Sequence, residues 1–160
     1  MTDEDVAAKP LIGLGRLRLG MTADEVAAVS SVFGTAGDPH SVRMSDAHIE
    51  DTLNTFAAGM SEEEMKSLRE LYAEQGPPQT LANQHFDSGL VSLEYDGGIL
   101  ISITAYQKCS ALNLDGLKVF EAAPLDVMRH LEKLNGEPGL YIHNSAFFER
   151  ILVYVDGFTT

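Results

Sequence analysis

Residues 15–34 read GRLRLGMTADEVAAVSSVFG, and residues 116–136 read GLKVFEAAPLDVMRHLEKLNG. Both stretches pass through the same signals in the same order. In the first, Leu17 and Leu19 alternate with Arg16 and Arg18, the period of a half-buried strand. Thr22 and Glu25 then form a capping box that opens a helix with Val26, Val29 and Phe33 on one face, and Gly34 and Gly37 end it. In the second, Pro124 suits a first helical turn and Asp126 favours the same end. Val127, Leu131 and Leu134 face inward, and Asn135 with Gly136 closes the helix. Val26 corresponds to Val127.

Between the copies the pattern changes twice. Ile49, Leu53, Phe56 and Met60 make one apolar helical stripe; Ser61 with Glu64 is a second capping box, opening a helix with Met65, Leu68 and Tyr72, supported by Leu71, as its buried face. Gly76, Pro77 and Pro78 stop it. Beyond them the period becomes two. Val91, Leu93 and Tyr95 alternate with Ser92 and Glu94, Asp96-Gly97-Gly98 supplies a tight turn, and Ile99, Ile101 and Ile103 alternate with Ser102 and Thr104. Leu112 and Leu114 continue the sheet, and two final strands fall near residues 140–143 and 147–155.

These elements predict an α+β fold: one curved antiparallel sheet of about six strands, built from two related β-α-β-β units, with helices on one face. Residues 38–76 would be a helical insertion, residues 1–10 a disordered acidic lead-in, and residues 11–160 a single domain. The expected core is Leu17, Leu19, Val26, Phe33, Leu93, Ile101, Ile103, Val127, Leu131, Phe147, Leu152 and Tyr154.

Composition narrows the function. The chain has 160 residues and a net charge of −13, with 24 acidic against 11 basic side chains, which argues against nucleic acid and anionic membranes as partners. The opening MTDEDVAAKP is acidic where a secretory signal is basic, and the longest uncharged apolar stretch, residues 97–107, is far short of a membrane span of about 20 residues. Cys109 is the single cysteine, which leaves no disulfide framework and no thiol cluster for zinc. The expectation is a cytoplasmic protein.

No catalytic motif of comparable clarity accompanies the repeat. Gly13, Gly15 and Gly20 miss the dinucleotide fingerprint, whose third glycine would fall where Arg18 stands. His48 and Glu50 form an H-x-E pair without the P-C-x-x-C that a zinc deaminase needs. His85 and Asp87 could ligate a metal together, but two ligands two apart in a loop are common by chance and a solvated pair is the better reading. Ser61 lacks a nucleophile elbow and serves as a cap. Lys108 could lower the Cys109 thiol's pKa, although a lone cysteine is usually a small apolar packer. The reading therefore expects no catalytic residue, cofactor or metal.

The most suggestive surface lies in the insertion. Asp46, Glu50, Asp51, Glu62, Glu63, Glu64, Glu70 and Glu74 face only Lys66 and Arg69 among the bases of residues 46–75. A solvated face, helped by a Glu62–Lys66 pair, accounts for a charge run by itself. Here, however, the charge concentrates on the one segment that interrupts the repeat, and insertions in a scaffold are where binding function tends to reside. Asp51, Glu63, Glu70 and Glu74 are the candidate partner-binding residues, and the partner would be a basic protein. Two other readings stand beside it. One is a small-molecule module or enzyme with Tyr95, Tyr106, His130 or His143 near a pocket on the concave sheet face. The other is a self-associating structural protein, if the apolar final strand is an edge.

The motifs G-x-G-x-L-x-LGMT-x-x-EV at residues 13–26, the hairpin at 90–103, the L-x-G-x-x-V/L-F element running into P-x-x-V at 114–127, and F-x-x-x-L-x-V at 148–155 resemble a family of small, largely uncharacterised bacterial proteins of actinobacterial type. The resemblance spans most of the chain outside residues 35–87. Proteins of this kind look similar to antitoxin or immunity components of toxin systems, which implies neutralisation of a basic toxin, for example a nuclease. The LGMT-x-x-EV phrase is also similar to the opening of the outer-membrane assembly lipoprotein family typified by BamE. That family starts with a signal peptide and a lipidated cysteine, features the reading does not find here, so the lipoprotein assignment is set aside.

Overall fold

The computed structural model describes residues 1–43, 45–78 and 80–158. Mixed α+β structure is present as expected. The single antiparallel sheet is not: the strands divide into a mixed five-stranded sheet and antiparallel sheets of four and three strands.

The five-stranded sheet is where the repeated sequences meet. Strand β1 (Ala7–Lys9) pairs antiparallel with β2 (Gly13–Leu14), which turns into β3 (Leu17–Arg18). On its other side β1 pairs parallel with β8 (Asn113–Leu114), which turns into β9 (Leu117–Lys118). The two hairpins share one register. Leu14 faces Leu17 as Leu114 faces Leu117, and the Leu19 and Val119 amides donate to the Ile12 and Leu112 carbonyls, each at 2.9 Å. At the second turn Asp115 and Gly116 both have positive φ, as a two-residue primed turn requires.

The disordered lead-in is therefore corrected. Val6 is wholly buried, and β1 joins the two hairpins at the centre of the sheet. Gly15 shows how closely it packs. A Cβ there would lie 2.1 Å from the Asp5 carbonyl oxygen, so the lead-in lies directly on the first turn. Five of the first ten residues are polar or charged, but burial of one valine and strand pairing decide the outcome.

Each hairpin feeds a helix. Helix α1 (Ala23–Val29) carries the expected capping box and buries Val26, and a 3₁₀ turn, Ser31–Phe33, buries Phe33. Helix α4 (Pro124–Asn135) has proline at its first turn, a left-handed cap at Gly136, and Val127, Leu131 and Asn135 buried. Leu134, expected inward, is exposed.

An antiparallel meander follows each helix. After α1 come β4 (His40–Ser41), β5 (Leu81–His85), β6 (Val91–Asp96) and β7 (Ile99–Ala105), in that spatial order. After α4 come β10 (Leu140–Ile142), β11 (Ser145–Phe148) and β12 (Val153–Asp156). Between the paired strands β4 and β5 the chain leaves the sheet as α2 (Asp46–Phe56) and α3 (Glu62–Gln75). Residues 40 and 41 thus belong to the sheet rather than to the helical insertion.

One apolar core joins the three sheets with α1 and α4. It contains Leu17, Val26, Phe33, Leu93, Val127 and Leu131 as expected. It also contains Val6, Tyr95, Leu100, Cys109 and Phe148, which the expected core omitted. Four expected members are exposed instead: Leu19, Ile101, Leu152 and Tyr154. Their errors have physical causes. A register shift between Glu94 and Tyr95 pairs Tyr95 with Leu100 and leaves Ile101 unmatched, so Leu100 turns inward. In the last hairpin Ala146 and Phe148 point inward, with Val153 and Val155 packed against the core, and Phe147 and Tyr154 occupy the other face. A one-residue difference in phase exchanges the two faces of a strand.

Candidate functional site

None of the described residues of the helical arm formed by α2 and α3 belongs to the connected apolar core, although Leu53 of α2 is buried. Its own construction is local. The Ser61 amide donates to Glu64 Oε2 at 2.7 Å and the Glu64 amide donates to Ser61 Oγ at 3.2 Å, which is the capping box read from the sequence. Arg69 bridges to α2 by donating twice to the Glu50 carboxylate, at 2.5 and 2.8 Å. That hydrogen bond raises the arginine's pKa, but both groups are solvent-exposed and the bridge is worth little by itself. At the base, Arg43 donates to the carbonyls of Pro77 and Tyr72 and places its guanidinium 4.9 Å from the centre of the Tyr72 ring.

The apolar faces of the two helices do not become core. Helix α3 buries no residue at all; Leu68 remains 42% exposed and Leu71 48%, while Met65 and Tyr72 are half-buried. On α2, Leu53 is buried and Ile49 half-buried, but Phe56 is exposed. Between the helices lies a groove of about 390 Å³, lined chiefly by Ile49, Leu53, Leu68, Leu71 and Tyr72. The buried stripes read from the sequence are thus open groove walls.

The candidate acids divide into two places. Glu63, Glu70 and Glu74 are exposed on one side of α3, at positions i, i+7 and i+11, within about 40° of one another at 100° per residue. Asp51 is exposed on α2, about 160° around that helix from Leu53, and does not join their row. Lys66, expected to pair with Glu62, lies 4.0 Å from Glu70 instead. Glu62, Glu63 and Glu64 sit in the first turn of α3, where carboxylates oppose the helix dipole favourably. Glu70 and Glu74 lie toward the other end, where that support is absent and the last turn has no basic residue.

The residues of the pocket reading are scattered. Tyr95 is buried in the core and donates to Gln84 Oε1 at 2.7 Å, and burial raises its pKa. The Tyr106 hydroxyl shares a hydrogen bond of 2.9 Å with Ser92. His130 is half-buried on α4 with an enclosed Nε2 that has no hydrogen-bond partner. His143 lies in the β10–β11 turn with φ of 53° and borders a cavity of about 300 Å³ beside Met128 and Phe158. Burial pushes the Cys109 thiol's pKa up, opposite to the lowering expected from Lys108 beside it in the sequence. Asp87 accepts the Thr35 amide at 2.8 Å, and His85 stacks on His40 with ring centres 5.5 Å apart. Among the described residues no three His, Cys, Asp or Glu side chains are grouped to hold a metal ion.

The sequence did not point to the outer face of the three-stranded sheet. Leu140, Phe147 and Tyr154 are neighbours across its strands, with Ile142 on the same side. Leu140, Ile142 and Tyr154 are all more than half exposed. The signal available is the alternation itself, which marks two faces without saying which one meets the core.

The architecture defined by these features is an α+β body bearing a two-helix arm. No family model, no curated protein and no solved structure matches the chain. No helix among the described residues is long and apolar enough to cross a membrane.

Proposed function

We propose that this chain is a non-catalytic protein-binding module that works in the cytoplasm, of the immunity type that neutralises a basic toxin. The arm is its contact surface. The observation that carries the reading is that α3 buries none of its residues and so leaves both an acidic row and an apolar wall open to a partner. Glu63, Glu70 and Glu74 would steer a basic surface toward the arm and pair with its Lys or Arg side chains, giving association that weakens with salt. Asp51, on the far side of α2, contributes to the general field. Neutralisation of this kind needs no chemistry, since carboxylates placed where a toxin holds phosphate block the site. The matching hairpin registers support a further part of the reading, that the two hairpin–helix–meander units are related copies and the arm an addition to the first.

The test is affinity capture from the source organism's lysate at low and high salt, comparing the native chain with Glu63→Lys/Glu70→Lys/Glu74→Lys. A basic protein retained only by the native chain, and only at low salt, is expected. Equal retention by the reversed variant would remove this surface from consideration.

One observation favours the self-association reading: β12 is an edge strand and the outer face of its sheet is apolar. Sedimentation across a hundredfold concentration range decides it, because a constant monomer mass excludes this alternative.

A further inference from the structure

We propose that the groove between α2 and α3 is a docking site for a cationic amphipathic α-helix, an inference that rests on the protein-binding reading above and names the partner's chemistry at that site. Leu68, Leu71 and Tyr72 recur on α3 at i, i+3 and i+4, and Ile49 and Leu53 recur on α2 at i and i+4. Two helices with such faces leave a furrow that a third helix fills, its apolar ridge seated between theirs. At 1.5 Å per residue α3 is roughly 21 Å long, which matches about four turns of a bound helix. The groove, at about 390 Å³, has room for a few large apolar side chains.

Charge selects the occupant. The arm carries eight carboxylates and two bases; Lys66 lies against Glu70 and Arg69 is bonded to Glu50. Around α3, Glu74 stands about 60° from Leu71 at the edge of the groove, whereas Glu70 lies about 160° from Leu68 and Tyr72, on the outer side of the helix. Lysine or arginine side chains flanking a bound apolar ridge can lay their stems along the Leu71 flank and reach Glu74, while the remaining acids supply a longer-range field. A second copy of the arm would bring the same excess of negative charge to the contact, so a like partner is disfavoured and a basic one is favoured. The two features are complementary. The groove supplies apolar burial, and the acidic excess of the arm sets the sign of what enters.

The probe is a synthetic helical peptide of leucine and lysine with all leucines on one face, compared with a peptide of the same composition in scrambled order. Binding to the full chain is read by fluorescence anisotropy. The patterned peptide should bind at least about tenfold more tightly than the scrambled one, and binding should weaken by about fivefold or more from low to high salt. Leu68→Ala/Leu71→Ala should abolish the preference. Thr52→Arg, which places a cation inside the groove, should do the same independently, and circular dichroism will confirm that both variants keep their helices. Equal binding of the two peptides, or a preference that survives both groove variants, overturns the proposal. If the peptides bind equally and Glu70→Lys/Glu74→Lys weakens both, the acidic-surface reading stands while the helix groove fails. If no substitution changes either affinity, both fail.

Discussion

Helices α3 and α4 carry the same kind of amphipathic pattern and meet opposite ends. Helix α4 spends its apolar face on the core, where Val127 and Leu131 are buried. Helix α3 presents Leu68, Leu71 and Tyr72 to an open groove. Amphipathicity tells which face of a helix will avoid water, but the partner that covers it is a property of the rest of the chain. For α4 the cover is intramolecular. For α3 it is proposed to be intermolecular.

The largest test of this contrast compares truncations on the two helices. Leu131→Ala should cost about 2–5 kcal/mol by urea unfolding, the usual range for a buried leucine. Leu68→Ala should change stability by no more than about 0.5 kcal/mol. Equal losses would make the arm part of the core and end the comparison. A somewhat smaller effect is expected at the C-terminus of α4. Buried Asn135 accepts the Arg150 amide and donates to the Glu137 carbonyl, both at 3.0 Å. Asn135→Ala strands an enclosed amide and should cost about 1–3 kcal/mol in the same measurement.

Capping sharpens the contrast in a different way. Ser61→Ala should remove about 1 kcal/mol from α3 alone, raising hydrogen exchange in residues 62–75 while the body stays protected. Thr22→Ala, at the matching cap of α1, should lower protection in the body as well. Global loss from Ser61→Ala would show that arm and body unfold together. Smaller still, Glu74→Lys should stabilise α3 by about 0.3–1 kcal/mol, because it replaces a carboxylate at the negative end of the helix dipole with a cation. The same change should weaken partner binding, so improved thermal stability with unchanged affinity would separate Glu74 from function.

The smallest predicted effect is a pH dependence on the α4 side. Tyr141 donates to Glu132, and burial together with that carboxylate pushes its pKa up to about 12. A phenol whose pKa is raised by folding contributes stability below its ordinary pKa near 10, and the contribution is lost as pH rises toward 12. Melting curves of the native chain and Tyr141→Phe should converge across that interval. Parallel curves would mean the hydrogen bond contributes nothing.

Local signals were legible wherever neighbours in sequence supply the physics. Both capping boxes, the proline start and glycine stop of α4, and the hairpin around Gly97 and Gly98 formed as read. The acidic row at Glu63, Glu70 and Glu74 also followed from helical spacing, whereas its separation from Asp51 required both helices to be placed. The misreadings share another character. Ile101 and Tyr154 were assigned inward because they lie in alternating runs, yet alternation fixes that two faces differ and leaves open which one meets the core. A bulge decided that for Ile101, and pairing with β11 decided it for Tyr154.

By itself, then, the sequence determined the mixed helix and strand content, the repeated strand-to-helix signal, the helix boundaries at Thr22, Ser61 and Gly136, and the concentration of acid between the copies. The tertiary structure decided that Val6 closes the core, that the strands split into three sheets, and that the arm stands apart with its groove open. The reason is one of range. Caps, turns and periodicity act over a few residues, while burial depends on which distant segments meet, and β1 pairs with β8 across more than a hundred residues of intervening chain.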